Sequence, residues 1–299
     1  MRPRKIAILA ERGLSPGGAL RFPFARLMTD SLVRAALEED AADNDITSIA
    51  TVVTERRARG RIVARAKGVI AGIPLAREAF RQRDPKASVR ATVRDGQLVD
   101  AGAEVLFLTA SPRGLLSAER VALNYLQRLS GIATLTHQFV DAIAGTNARI
   151  LDTRKTTPGW RRLEKYAVRA GGGMNHRMDL GASFLIKDNH LAALEGDIQL
   201  AVNRARELAP GKPVEVECDN LDQVKAAIEA RAEVIMLDNM SLPKLREAVK
   251  LIDGRAVTEA SGGVNLQTVR PIAETGVDWI SVGALTHSAK ALDLALDFE

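Results

Sequence analysis

The chain has 299 residues, 46% hydrophobic and 26% charged, the balance of an ordinary soluble protein built as one large α/β domain or as a barrel with a smaller partner. A net charge of +5 with only 4% aromatic residues, and no basic run beyond Arg2, Arg4 and Lys5, argues against nucleic-acid binding and leaves small anionic substrates as the more specific reading of the charge. The lone cysteine, Cys218, excludes an intramolecular disulfide framework, and no apolar stretch approaches the ~20 residues of a membrane span, so a cytoplasmic protein is expected.

Residues 1–25, with Gly13, Pro16, Gly17, Gly18 and Pro23, read as an irregular N-terminal arm. From Arg26, apolar Leu27, Leu32 and Leu37 among charges predict a helix ending at Glu38-Glu39-Asp40. Asp43 to Ser48 reads as loop. Residues 60–73 predict strands around a glycine turn, followed by a helix over Pro74 to Phe80 and strands at Val89 to Val93 and Val105 to Leu108. This half is expected to be a small α+β unit with an antiparallel sheet. Ser117 is the expected N-cap of a helix, with Glu119 in its first turn. Ser130-Gly131 is expected to break it, and a second helix follows through Ile132, Leu135, Phe139, Val140 and Ile143 to Gly145.

Beyond Gly145 short apolar runs recur, each followed by polar residues. They are Ile150-Leu151, Phe184 to Ile186, Val214 with Val216, Val234 to Leu237, Ala256-Val257 and Trp279 to Val282, with helical stretches such as Leu221 to Ala230, Pro243 to Leu251 and Leu266 to Thr275 between several of them. This β-then-α rhythm predicts parallel strands, and in such folds sites form where strands end. Arg154, Lys155, Lys187, Glu217, Asp238 and Glu259 fall at those ends and are expected to converge on one mouth. Arg161, Arg162, His176 and Arg177 add to the candidate cations, a cluster that needs anions or acidic partners. Glu217 and Asp238 could offset part of that charge or hold a divalent metal through oxygen or water. Gly262-Gly263 and Gly283-Ala284 would let backbone N–H groups approach a phosphate. The residues alone point to a barrel mouth for a polyanionic phosphorylated ligand.

Several blocks resemble the quinolinate phosphoribosyltransferase family. They are Ser117 to Asn124 with Leu129 to Thr134, Asp152 to Gly159, Gly171 to Arg177, Ile186 to His190, Glu215 to Glu217, Leu237 to Met240, Glu259 to Gly263 and Val282 to His287. The resemblance covers the chain from about Leu27, with modest departures at Asp43-Asn44 and Cys218. It implies the fold of a type II phosphoribosyltransferase: an N-terminal α/β sandwich over 26–131, joined by the C-terminal segment 285–299, and an incomplete C-terminal α/β barrel over 132–284. It also implies a magnesium-dependent transfer of the phosphoribosyl group of phosphoribosyl pyrophosphate to quinolinate, with loss of CO2, in a homodimer whose active sites are shared.

By that likeness Arg120 reaches the quinolinate of the other subunit, while Arg154, His176, Arg177 and Lys187 bind the dicarboxylate or neighbouring phosphates. Lys155 lies at the phosphoribosyl group, Glu217 and Asp238 at the ribose hydroxyls and Mg²⁺, and Ser261-Gly262-Gly263 with Val282-Gly283-Ala284 at the 5′-phosphate, with Thr153 a further substrate-binding residue. Lys155, Glu217 and Asp238 are the expected catalytic residues. His190 and His287 are expected in polar networks, and His137 in a structural position. The rival readings are a relative acting on another anionic ring, of the kind associated with molybdenum transport, and a non-catalytic anion-binding barrel. The His176-Arg177 pair, with Arg120 and Arg154, argues for a dicarboxylate against the first, and the acids at Glu217 and Asp238 disfavour the second.

Overall fold

The computed structural model describes residues 20–52 and 56–298; most of the expected N-terminal arm, including its Gly and Pro cluster before Leu20, lies outside them. The chain divides into two units, one of residues 20–137, 162–172 and 289–298, the other of residues 138–161 and 173–288. The expected boundary at 131/132 therefore falls inside a continuous helix. Residues 162–172 group with the first unit rather than with the barrel, and only the last part of 285–298 joins them.

The first unit holds a four-stranded antiparallel sheet in the order β12-β1-β5-β3, made of Ala58–Ala64 (β1), Ser88–Ala91 (β3), Glu104–Ala110 (β5) and Leu294–Phe298 (β12). Alternation along β1 buries Gly60, Ile62 and Ala64 and turns Arg59 and Arg61 away. Gly68–Val69 (β2) and Leu98–Val99 (β4) form a separate ribbon. The helix Ile73–Arg83 starts where Asp95 accepts the backbone N–H groups of Gly72 and Ile73 at 3.0 and 3.1 Å, satisfying two donors that a helix start leaves open.

Two expectations are corrected here. Asp43 to Ser48 is not all loop: a 3₁₀ turn spans Ala42–Asn44, and a helix over Ile46–Thr51 begins with the Asp45 carboxylate accepting the Ser48 N–H at 3.0 Å. Ser130-Gly131 breaks nothing, because one helix runs Pro112–Ala142, and Ser117 lies inside it rather than at its cap. The Ser130 hydroxyl accepts the Ala71 N–H at 2.9 Å and donates to the Ala71 carbonyl. A Cβ on Gly131 would stand 2.0 Å from the carbonyl oxygen of Lys290. Both residues serve close packing, which overrides their local preference for turns.

The second unit is a six-stranded parallel sheet in the order β6-β11-β10-β9-β8-β7. Its strands are Arg149–Leu151 (β6), Phe184–Ile186 (β7), Val214–Cys218 (β8), Val234–Asp238 (β9), Val257–Ser261 (β10) and Trp279–Ser281 (β11). Cys218 ends β8 as a buried residue. The intervening helices include Ile198–Leu208, Leu221–Glu229 and Leu242–Ile252, while the stretch expected over Leu266 to Thr275 forms only Val269–Ala273. Asp197 and Asn220 cap the first two of these helices through their side-chain oxygens. Residues from the C-terminal ends of all six strands or just beyond line one cavity, so the sheet wraps as a barrel although β6 and β7 share no ladder among the described residues.

Alternation along the strands assigns the interior. Val234, Val257, Trp279 and Leu151 form a buried apolar cluster with Met174 against it. Two residues further along the same faces stand Met236 on β9, Glu259 on β10 and Ser281 on β11, and two further still Asp238 and Ser261. The register pairs Glu259 with Met236, Ser261 with Asp238 and Glu217 with Met236. Each inward face thus runs from apolar to polar toward its C-terminal end.

Candidate active site

A cavity of about 790 Å³ opens at the C-terminal ends of the barrel strands. The sequence-expected Thr153, Arg154, Lys155, His176, Arg177 and Lys187 line it from the β6 and β7 side. Glu217 and Asp238 line it from β8 and β9. Ser261, Gly262 and Gly263 follow β10, and Val282, Gly283 and Ala284 follow β11, on the same wall. Cations from three separate stretches and two acids therefore share one concavity of small-ligand size.

Three expected cations stand elsewhere. Arg120 is exposed on the helix Pro112–Ala142 in the other unit, outside this lining. Arg161 donates to the Thr156 hydroxyl at 3.0 Å and to the Met178 carbonyl at 3.2 Å. Arg162 sits over the ring of Phe24, 5.2 Å from its centroid. Glu259 is also corrected: β10 runs on to Ser261, past the expected strand end, so the Glu259 carboxylate is fully buried inside the barrel rather than at the mouth.

His176 is held from both sides. The buried Asp152 carboxylate accepts the His176 backbone N–H at 2.8 Å and the Asn175 amide at 2.6 Å, pinning this segment beside β6. The His176 Nε2 lies 3.2 Å from Glu215 and 3.4 Å from Glu259. The Ser281 hydroxyl donates to Glu259. Burial works against a charge on the ring, but Glu259 and Glu215 outweigh it and push His176 up to about 9. The Arg177 N–H approaches Nδ1 at 2.8 Å and opposes a second ring proton. His176, Glu215 and Glu259 are also the one group of three among the described residues whose ligand atoms cluster tightly enough for a metal ion, but the attraction between the ring and the two carboxylates accounts for their closeness.

Arg177 is 7% exposed and donates to the Ser183 carbonyl at 3.0 Å. Lys187 reaches across to Glu217, with Nζ 2.5 Å from Oε2. Burial raises the Glu217 pKa, Lys187 opposes the rise, and Asp238 and Asp188 add to it. The Lys155 carbonyl accepts the Thr286 hydroxyl at 2.8 Å, and its side chain runs over Gly283, where a Cβ would meet Lys155 Cδ at 3.0 Å. Gly262 and Gly263 are both left-handed, with φ of 91° and 62°, a tandem that only glycine adopts readily.

Glu217 and Asp238, on neighbouring strands, present hard carboxylate oxygens of the kind a divalent ion such as Mg²⁺ takes. Sequence reasoning missed Met236, Asn239 and Ser281 as lining residues and left His287 open; His287 lines the cavity. Alternation from Asp238 back to Met236 was the available signal for one of them. His190 acts on the backbone instead. Its Nδ1 accepts the Lys187 N–H at 3.0 Å and closes the start of the short helix Asp188–Ala192.

Family models match both units. The C-terminal domain of quinolinate phosphoribosyl transferase matches residues 132–297, and the N-terminal domain matches residues 45–130. A nicotinate-nucleotide pyrophosphorylase [carboxylating] of Mycobacterium leprae is 46% identical over 273 residues, covering 89% of this chain and 95% of the relative. A probable nicotinate-nucleotide pyrophosphorylase [carboxylating] of Bacillus subtilis is 43% identical, covering 87% and 89%. The solved structure of the nicotinate-nucleotide pyrophosphorylase from Francisella tularensis matches with a TM-score of 0.87 at 39% identity, covering 92% of this chain and 98% of that one.

Proposed function

Because this chain belongs to the quinolinate phosphoribosyl transferase family, we propose that its barrel cavity binds quinolinate beside phosphoribosyl pyrophosphate. The enzyme transfers the phosphoribosyl group to quinolinate with decarboxylation, giving nicotinate mononucleotide, pyrophosphate and CO2 in the synthesis of NAD. The observation that carries the residue assignments is the convergence of Arg154, His176, Arg177 and Lys187 with Glu217 and Asp238 on one cavity.

Quinolinate carries adjacent carboxylates, which planar guanidinium forks hold well; Arg154 and Arg177 supply them, and His176 and Lys187 add charge. Lys155 contacts the phosphoribosyl group, with Thr153 beside it. Gly263, open to the cavity with nothing within 4 Å of where a Cβ would stand, leaves room for backbone N–H groups to meet the 5′-phosphate beside Gly262 and Gly283. Glu217 and Asp238 favour the positive charge that grows at the ribose anomeric carbon as its bond to pyrophosphate breaks. Glu217 and Asp238 would hold Mg²⁺, directly or through water, and the ion would supply positive charge to balance the diphosphate. The pyridine nitrogen then forms the new bond to that carbon. The ring becomes a pyridinium and takes the electron pair as the C2 carboxylate leaves; a proton replaces CO2 at C2.

A homodimer with shared sites completes the reading. Arg120 is exposed and outside its own chain's cavity, and a second copy gives it a quinolinate to reach. The compartment we propose is the cytoplasm, where a lone buried thiol such as Cys218 stays reduced; among the described residues no helix is long and apolar enough to cross a membrane. Purified protein with quinolinate, phosphoribosyl pyrophosphate and Mg²⁺ should release pyrophosphate only when all three are present. Release that does not depend on quinolinate would defeat the assignment.

A further inference from the structure

Asn239 follows the last residue of β9 and lines the cavity, although nothing in the chemistry above employs it. Its backbone is left-handed, with φ of 51°. Glycine would adopt that conformation with less strain, so the backbone alone does not call for an amide here. The side chain has two neighbours that matter. Its Nδ2 donates to the Asp238 carboxylate at 2.6 Å, a charge-assisted contact that restricts the carboxylate's rotation. Its Oδ1 lies 2.1 Å, and its Cγ 2.5 Å, from where a Cβ on Gly262 would stand, so the amide rests directly on the Gly262 backbone. The Asn239 N–H donates to the Ser261 carbonyl at 2.9 Å, immediately before the tandem glycines.

From this juxtaposition we propose that Asn239 is a positioning residue, which locks the Asp238 carboxylate and the Gly262-Gly263 loop into one unit. In the phosphoribosyl reading, on which this inference rests, Asp238 serves the ribose end of the ligand and the glycine loop its 5′-phosphate. Asn239 therefore fixes the spacing between two contacts on the same substrate. Quinolinate, held by the cations on the other side of the cavity, makes no demand on that spacing.

The test is a split between ligands, read by calorimetry on the full-length protein with quinolinate alone and with phosphoribosyl pyrophosphate and Mg²⁺ alone. Asn239→Gly keeps the backbone permissive and removes the amide. It should weaken phosphoribosyl pyrophosphate binding by at least about ten-fold, as expected for one lost hydrogen bond to a charged group, and leave quinolinate affinity within about two-fold. In steady state the same variant should raise the KM for phosphoribosyl pyrophosphate more than it lowers kcat. Unchanged affinity for phosphoribosyl pyrophosphate, or an equal loss for both ligands, overturns the proposal. If Asn239→Gly fails to fold, Asn239→Asp decides: it keeps the shape but sets a carboxylate against Asp238, and the same selective loss is expected, while wild-type affinity for phosphoribosyl pyrophosphate overturns the idea. The affinities need no turnover, so a wild-type protein without catalysis would defeat the functional reading and leave this comparison intact.

Discussion

Lys187 and Glu217 meet with Nζ 2.5 Å from Oε2, so the loop after β7 is tied to the C-terminal end of the neighbouring strand β8. The pair joins, on one wall of the cavity, a residue assigned to the dicarboxylate with one assigned to the ribose.

Breaking that pair has a signed consequence. Burial already raises the Glu217 pKa, and Lys187 is the main influence holding it down. Lys187→Met should raise it further, so Glu217 takes its proton at higher pH and loses function there. The acid limb of the pH profile of kcat/KM should move upward, and kcat/KM for quinolinate should fall about 10- to 100-fold for the lost charged contact. A profile with its acid limb unmoved would show that Glu217 does not govern it.

His176 gives a prediction in the alkaline range. Its folded pKa is raised to about 9, above the 6.5 of an unperturbed ring. The sign follows: its contribution to stability is fully present below about pH 6.5 and is lost as pH rises through about 9. The ring C–H resonances of His176 should titrate near 9, and the melting temperature should decline over the same interval. A ring that titrates near 6.5, or stays neutral throughout, would show that burial and the Arg177 N–H at Nδ1 outweigh the two carboxylates.

Gly131→Ala sets two effects against each other. Alanine gains about 1 kcal/mol of helix propensity over glycine. Here its Cβ would lie 2.0 Å from the Lys290 carbonyl oxygen, a backbone atom that moves only with its strand connection. Overpacking of that kind costs about 1–3 kcal/mol, so the net change should be destabilising and the melting temperature should fall by several degrees. A melting temperature at or above that of the native protein would mean the helix and the 290 region separate easily.

Shared active sites predict rescue. Arg120→Ala and Lys155→Ala should each be nearly inactive as separate proteins. Mixing them by unfolding and refolding together should restore up to about one quarter of native activity, from hybrid dimers in which one site carries both native residues. Persistent inactivity of the mixture would place Arg120 outside any shared site.

The strands of the second unit were legible because parallel strands buried on both faces read as short apolar runs, and the polar residues after them marked the mouth. Where reading failed, a tertiary contact had overruled a local signal. Ser130 and Gly131 look like a helix stop, but their small size is used against Ala71 and Lys290. Glu259 looked like a strand end because the apolar run stops early, yet the polar continuation of β10 forms part of a buried cluster with His176 and Glu215. Asn239 lay within the Leu237 to Met240 block but carried no charge to mark it; its role depends on a left-handed backbone and on contact with Gly262, which is twenty-three residues away in sequence.

The central claim is a phosphoribosyl transfer coupled to loss of one particular carboxylate. Quinolinate labelled at the C2 carboxylate, and separately at the C3 carboxylate, should be turned over with phosphoribosyl pyrophosphate and Mg²⁺. Labelled CO2 is expected from the first, equal in amount to the pyrophosphate formed, and label retained in the nucleotide from the second. Pyrophosphate release with both labels kept in the product, or no turnover of either, would contradict it.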